Sequence, residues 1–388
     1  MASLNLLFVH EVSYEKKPIF EMQEFPEHLA AKGHRVSFLQ FDEGFKFWQG
    51  NSQPCTKTIA GRVLTETSIN IISPHQFGVP GLDRLYATVS VWPTLNRLLK
   101  TEKFDAIVLY AVPTYGRQVI QLAKKHGVPV VFRALDVSHL IRKSVFSPLI
   151  KSAEKYVYEH ADVLSANNSA LAAYCNALGH RNRETVVNLP PLDLQHFKVD
   201  AKDVSLQKSL GIKRGEKCVL YMGSFFHFSG LEQVIHDFAK SMDLFPKVKL
   251  MLVGGGSAAP SLIKLSQKLG LGDRVIFTGF VGYQDLPTYL RLADVAINPM
   301  HVVPASDLAL PHKVLQYLAC GVPVVTTRLS GLSETLNRSS GVLFVEASSD
   351  VWVGSMSVLY EAKLKTHPKL VLASHNAVDE FESLLAEL

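Results

Sequence analysis

The sequence predicts an α/β protein made of two open, mostly parallel sheets wrapped by helices, the two units facing each other across a cleft. Short β-branched runs alternate with longer amphipathic stretches along the chain, the pattern of parallel α/β sheets. The alternation breaks near Leu189–Pro191 and restarts at Cys218. A chain of 388 residues with a 47% hydrophobic share suits two packed interiors rather than one.

In order along the chain, residues 1–192 form the first domain. Strands are expected at Leu4–Val9, Arg35–Phe41, Ala106–Tyr110, Val128–Phe132, Val163–Ala166 and Thr185–Asn188, with helices at Phe20–Lys32, Thr114–His126 and Ser147–His160. Gly33 and Gly127 follow two of these helices, where a left-handed residue is expected. Leu4–Val9 is too short for the apolar core of a secretory leader and lacks a basic start and a small-residue cleavage site, so it reads as a buried first strand. Residues 193–217 are polar and read as a linker region. The second domain, 218–370, carries strands at Cys218–Met222, Val248–Val253, Val275–Phe277, Val295–Ile297, Pro323–Thr326 and Val342–Val345. Its helices are Leu231–Met242, Ala259–Leu269, Asp285–Leu292 and Pro311–Cys320. Residues 371–388 end in a helix with one apolar face that docks on a neighbouring surface. Open α/β sheets bind ligands at the carboxyl ends of their strands, which places the expected cleft there.

Composition narrows the function. Cys55, Cys175, Cys218 and Cys320 are scattered with no CxxC pair, which argues against disulfides and a zinc site and fits a reducing, cytoplasmic setting. No apolar run approaches the roughly 20 residues of a membrane span. The formal charge of +5 admits phosphorylated substrates or an anionic membrane face, but it is too mild and dispersed for nucleic acid.

The second half holds the chemistry-bearing residues. Gly223-Ser-Phe-Phe-His-Phe-Ser-Gly230 runs from a strand into a helix, where small residues let backbone amides approach a phosphate. Gly254-Gly-Gly256 ends the next strand. Either turn also has a purely steric reading. More specific is Ala309-Leu-Pro-His-Lys-Val-Leu-Gln-Tyr-Leu-Ala-Cys-Gly-Val-Pro-Val-Val325. Pro311 suits a first helical position and Gly321 a helix end. The amides of Ser306, Asp307, Leu308, Ala309 and Leu310, with the helix start, form an anion seat. Lys313 adds a full positive charge there, and Gln316, on about the same face, reaches toward a ribose hydroxyl.

These residues resemble the donor-site signature of the family-4 retaining glycosyltransferases, which have the GT-B fold of two Rossmann-like domains. Leu252-Val-Gly-Gly-Gly256, Arg274-Val-Ile-Phe-Thr-Gly-Phe280, Asp285-Leu-Pro and Ala293-Asp-Val-Ala-Ile-Asn-Pro299 follow the family's order and spacing. Gly33-His-Arg-Val36 and Asn188-Leu-Pro-Pro-Leu-Asp193 match it more loosely. The resemblance implies a UDP- or GDP-linked sugar donor as substrate, no other cofactor, and transfer with retention, usually without a metal. It places Phe280 and Val281 at the base, Ser306–Leu310 at the diphosphate and sugar, and Gln316 at the ribose, with Gly223, Ser224, Ser229 and Gly255 completing the donor site.

The chain departs from that pattern at charged positions. Leu308 and Gln316 stand where the family has two glutamates, and Ser224 and Ser229 where it has arginine and lysine. Glutamine can still hydrogen-bond a hydroxyl. Cations that offset charge on a leaving diphosphate typically contribute a few kcal/mol. Lys313, His227, or Arg133 and Arg142 from the first domain are the candidate replacements. No Asp-x-Asp or histidine cluster suggests a metal. In the first domain, Leu135-Asp136 replaces a His-Asp pair common in relatives, making Asp136 and Lys313 the candidate catalytic residues. His10, Glu11 and His139 are the candidate acceptor contacts. The stretch from His139 to Tyr158 mixes apolar residues with Arg142, Lys143, Lys151 and Lys155, and suits either inward packing or peripheral contact with an anionic bilayer. Three functional readings follow: a glycosyltransferase acting on a glycan or lipid-linked acceptor, a catalytically inactive binding or regulatory subunit, and, with least support from acid–base residues, a sugar-nucleotide epimerase.

Overall fold

The computed structural model describes residues 2–41, 54–76, 83–110, 112–141, 145–179, 184–336, 341–361, 364 and 376–388. The chain divides into two compact units, Met1–Pro191 with Asn376–Leu388, and Leu192–His375.

Unit 1 runs β1 (Asn5–Val9), α1 (Glu21–Ala31), β2 (Arg35–Leu39), β3 (Cys55–Ala60), β4 (Ser68–Ser73), α2 (Asp83–Thr101), β5 (Ala106–Leu109), α3 (Gly116–His126), β6 (Val130–Ala134), α4 (Ser138–Ile141), α5 (Ser147–His160), β7 (Val163–Ala166), α6 (Ser169–Gly179) and β8 (Val186–Val187). Its sheet order is β3-β4-β2-β1-β5-β6-β7-β8, parallel throughout except for β3 against β4. β1 and β5 are almost wholly buried, as strands covered on both faces must be. The pair β3–β4 and the helix α2 are additions to the expected elements. Residues Cys55–Ala60 are mostly exposed, so this edge strand carries no apolar period to announce it. The sixth strand starts at Val130 rather than Val128, because Pro129 has no N–H for the ladder and instead accepts from Ile107 N at 2.9 Å.

The last helix, α15 (Ala377–Ala386), completes unit 1. Ala377, Val378, Phe381 and Leu385 join Phe8, Phe25, Phe38 and Ile71 in one core, and the Phe381 and Phe25 rings lie 4.5 Å apart. Lys32 pairs with Asp379 at 2.6 Å and with Glu382, and His34 Nε2 lies 2.9 Å from Glu382. The apolar face read from the sequence thus docks on the first unit.

Unit 2 runs α7 (Val204–Ser209), β9 (Lys217–Ser224), α8 (Leu231–Ser241), β10 (Val248–Gly255), α9 (Ala259–Lys268), β11 (Val275–Gly279), α10 (Leu286–Leu290), β12 (Val295–Asn298), α11 (Pro304–Asp307), α12 (His312–Ala319), β13 (Val324–Thr327), α13 (Ser330–Ser333), β14 (Val342–Val345) and α14 (Asp350–Tyr360). The polar stretch read as a linker contains α7, capped by Asp203 accepting from Leu206 N at 2.9 Å. The sheet is all parallel in the order β11-β10-β9-β12-β13-β14. The chain steps outward from β9 to β11 and then returns to the other side of β9. Its topological switch point therefore lies between β9 and β12, where such sheets bind ligands. In unit 1 the same reversal lies between β1 and β5.

Candidate functional site

The loops that leave β9 and β12 flank the switch point of unit 2. Gly230 ends the β9 loop with φ +73°, and a Cβ there would overlap the carbonyl oxygen of Pro299 just after β12. Only glycine allows the two loops to meet this closely. The serines of the β9 loop shape it. Ser229 is buried, and its hydroxyl donates to Ser224 O at 3.2 Å while accepting from Phe226 N at 3.0 Å. Ser229, expected among the donor contacts, therefore has its hydroxyl committed to closing the loop. Phe226 and Phe228 stack on the outside of the turn, 5.3 Å between centroids, and His227 is exposed between them.

After β12, two short helices form the expected seat. Ser306 is buried, donating to His301 O at 2.6 Å and accepting from Val303 N at 3.0 Å. Asp307 accepts from Ser330 N at 2.9 Å and Ser330 Oγ at 2.8 Å, capping α13. Both side chains are engaged within unit 2. Ala309 N is used by Ser306 O at 3.0 Å, whereas Leu310 N and Lys313 N have no acceptor among the described residues. Leu308 lies half-buried between them. Pro311 is the residue before the helix rather than its first residue, with ψ 108°, so α12 opens at His312; Val314 N is bonded to Pro311 O at 2.9 Å, which leaves the Lys313 amide unspent among the described residues.

Two tyrosines tie α12 to the end of β9. Tyr317 is fully buried, and its Oη accepts from Met222 N at 2.6 Å. Burial raises its phenol well above the ordinary value, keeping the group neutral. One turn earlier, Lys313 Nζ donates to Tyr221 Oη at 3.0 Å and lies 4.1 Å from that ring's centroid. The ammonium stands beside Gly223, 3.5 Å from where a Cβ would be. Lys313 forms no ion pair among the described residues. Gln316 is only 5% exposed, and its amide makes no hydrogen bond among the described residues. Phe280, 70% exposed, lays its ring over Gly255, where a Cβ would come within 2.9 Å of it; Val281 beside it is half-buried. The structure thus brings Gly223 and Lys313 together, with Gly255 and Phe280 at the next strand; Gln316 follows three residues after Lys313 on α12. Sequence reasoning missed Tyr221 and Tyr317, since a tyrosine inside a strand or helix reads as core.

In unit 1 the expected contacts have other partners. His10 stacks on Tyr110 with 5.5 Å between centroids. Glu11 is buried, and its carboxylate accepts from Thr114 Oγ at 2.8 Å, Tyr115 N at 3.0 Å and Thr114 N, with Arg84 at 3.5 Å. It caps the turn into α3, so the residue read as an acceptor contact holds this turn together. His139 pairs through Nδ1 with Glu154, and its Nε2 lies 3.3 Å from Tyr174 Oη. Burial raises the Glu154 carboxyl, with His139 opposing, so His139 anchors α4 to α5 instead of presenting itself to an acceptor. Asp136 is exposed after β6. Arg133 is 1% exposed, bonded to Glu21, Ser165 Oγ at 2.9 Å and Asn188 O at 2.6 Å. It is spent inside unit 1 and does not replace a donor-site cation; Arg142 lies outside the described residues. Within the stretch His139–Tyr158, α5 packs inward through Ile150, Val157 and Tyr158, while Val145, Phe146 and Leu149 are 89%, 59% and 66% exposed. Among the described residues, no three His, Cys, Asp or Glu side chains gather as a metal site.

Comparison with known proteins agrees with this geometry. Residues 22–191 match the model described as glycosyl transferase 4-like domain, and residues 204–370 the model described as glycosyl transferases group 1. The N-acetyl-alpha-D-glucosaminyl L-malate synthase of Bacillus anthracis is 23% identical over 86% of this chain and 82% of its own. A D-inositol 3-phosphate glycosyltransferase of Thermobispora bispora is 27% identical over 72% and 69%. Among solved structures, the sucrose-phosphate synthase of Thermosynechococcus elongatus superposes with a TM-score of 0.74 at 18% identity, covering 99% of this chain and 97% of that one. The Anabaena protein HepE, in complex with UDP and glucose, gives 0.74 at 16% identity over 99% and 100%.

Proposed function

From the premise that the chain belongs to the family-4 glycosyltransferases of GT-B fold, we propose that it moves a sugar from a nucleotide-diphosphate donor, held by unit 2, to a glycan or lipid-linked acceptor. The observation that carries this is the Lys313 ammonium beside Gly223. It stands at the turn where Ser224 and Ser229 leave the family's usual cations missing, and it faces the β9–β12 switch point together with the unspent amides of Leu310 and Lys313. That combination suits a pyrophosphate, because helix-start amides and a full charge act on the same anion. Gln316, whose amide has no hydrogen-bond partner among the described residues, suits a ribose hydroxyl. Phe280 over Gly255 suits a base. HepE, solved with UDP, is a structural neighbour whose ligand agrees with this reading.

In this reading the acceptor hydroxyl attacks the anomeric carbon on the leaving-group face. The bond from that carbon to the phosphate oxygen breaks, the departing diphosphate takes the hydroxyl proton, and configuration is retained. Lys313 and the backbone dipoles offset the charge that builds on the diphosphate, so the reading calls for no metal. Asp136, exposed at the end of β6, is assigned to orienting the sugars. A non-catalytic subunit is the less favoured reading, because both matching family models describe transferases.

Calorimetry with UDP, GDP and their sugar conjugates tests the donor. Binding of one diphosphate, with turnover lost in Lys313→Ala while the fold persists, is the expected result. No binding to any of them, or full turnover in Lys313→Ala, ends the assignment. We assign the exposed Val145, Phe146 and Leu149, next to the exposed Lys151, to peripheral contact with an anionic bilayer. Flotation with phosphatidylglycerol vesicles should bring the protein up, and Phe146→Asp with Leu149→Asp should release it. Equal flotation of wild type and variant would remove that assignment. No described helix is long and apolar enough to cross a membrane.

A further inference from the structure

Tyr221 is 1% exposed at the end of β9, yet its phenol has two polar bonds. Its Oη donates to Ser224 O at 3.1 Å and accepts from Lys313 Nζ at 3.0 Å, while the same ammonium lies 4.1 Å from the ring centroid. A Cβ on Gly223 would sit 3.5 Å from that nitrogen and 3.6 Å from Tyr221 Oη. Lysine has a flexible four-carbon stem and three rotatable donors, so left alone its charge would be spread over many positions. We propose that Tyr221 is a positioning residue: it fixes the Lys313 ammonium at the Gly223 turn, where the proposed donor diphosphate would meet it. This inference rests on the donor reading of the preceding subsection.

Three features make the arrangement specific. The phenol offers Lys313 an acceptor without a negative charge, so the cation is held without being neutralised by a carboxylate. The second bond, to Ser224 O, locks the phenol's proton away from the ammonium, leaving the oxygen lone pair for Lys313. Tyr317 grips Met222 one turn further along α12, so the helix that carries Lys313 is itself registered on β9. The β9 loop has lost its own cations, and the strand beneath it supplies the means to hold one borrowed from α12.

Tyr221→Phe keeps the ring and the volume, a class of change that cores tolerate, and removes both bonds. The experiment is calorimetric titration of UDP and GDP into the full chain, as a cycle of wild type, Tyr221→Phe, Lys313→Met and the double variant. Tyr221→Phe should weaken the bound diphosphate roughly tenfold, as expected for loss of a hydrogen bond to a charged group. In the Lys313→Met background the same change should alter affinity less than about twofold, since a residue that acts through Lys313 has nothing left to position. A purely structural role would give the same factor in both backgrounds, and that result overturns the proposal while leaving the donor reading intact. If wild type binds neither nucleotide, the donor reading falls and this inference with it. Should Tyr221→Phe fail to fold, Tyr221→Met, which likewise removes the phenol oxygen and keeps an apolar side chain, takes its place in the cycle under the same criterion.

Discussion

Gly230→Ala is the sharpest test of how the β9 and β12 loops are joined. Gly230 has φ +73° and ψ 6°, a left-handed conformation that costs an alanine about 1 kcal/mol. The new Cβ would overlap Pro299 O and stand 2.9 Å from Pro299 C, against the roughly 3.5–4.0 Å of an ordinary carbon contact. Both neighbours are backbone, so no rotamer change relieves the overlap. The start of α8 must retreat from β12, at a cost of about 1–3 kcal/mol for overpacking. The sum, about 2–4 kcal/mol, corresponds to a fall in Tm of about 4–16 °C for a unit of this size. Gly270→Ala is the control: its φ of +67° is equally left-handed, but nothing lies within 4 Å of the added carbon. It should lose only the conformational share, about 2–4 °C. Scanning calorimetry reads both, and titration with the diphosphate that wild type binds should show the weaker affinity in Gly230→Ala alone. Equal losses of Tm in the two variants would refute the claim that the loops meet through the bare face of Gly230.

Arg133→Met leaves the buried Glu21 carboxylate without its partner and should destabilise unit 1 by about 3–5 kcal/mol, while Glu21→Met with Arg133→Met recovers most of that loss; urea unfolding of wild type and the two variants decides it. Hydrogen bonds from Lys32, opposed by burial, hold the Glu382 carboxyl below its usual range. Its contribution is therefore full above the ordinary glutamate value of about 4.3 and is lost as pH falls below that value through the lowered one. Amide exchange along α15 should accelerate over that acid window in wild type, and the acceleration should be smaller in Glu382→Gln. Asp307→Ala removes the two acceptors of Ser330 and should cost about 1–2 kcal/mol of stability, yet change diphosphate affinity far less than Lys313→Met does, as paired denaturation and titration would show.

The architecture was largely legible because its buried strands are apolar runs closed by glycines. Cys218–Met222 and Val248–Val253 sit inside β9 and β10, and Gly33 and Gly127 take φ values of +94° and +68° after their helices, as the chain pattern predicted. The edge pair β3–β4 escaped notice because an exposed strand needs no hydrophobic period. At the site, the glycine turns and the α12 segment were found from local spacing. What spacing cannot report is which polar groups the fold has already used. Glu11, His139, Ser306, Asp307 and Arg133 each carry the residue type a binding role needs, and each is held by partners 15 to 112 positions away in sequence or by its own turn. The converse holds for Tyr221, whose neighbour Lys313 is 92 positions distant.

Because α15 lies in the core of unit 1, that core is not complete until residues at the far end of the numbering have been made. On a ribosome, β1 through β8 emerge first and wait, with the site for Phe381 against Phe25 open, while all of unit 2 is synthesised and can close on its own contacts. The second unit is thus inserted within the first and should mature before it. A nascent chain stalled short of Asn376 would hold a finished second unit and an unfinished first one, an apolar surface that chaperones and proteases would be expected to read.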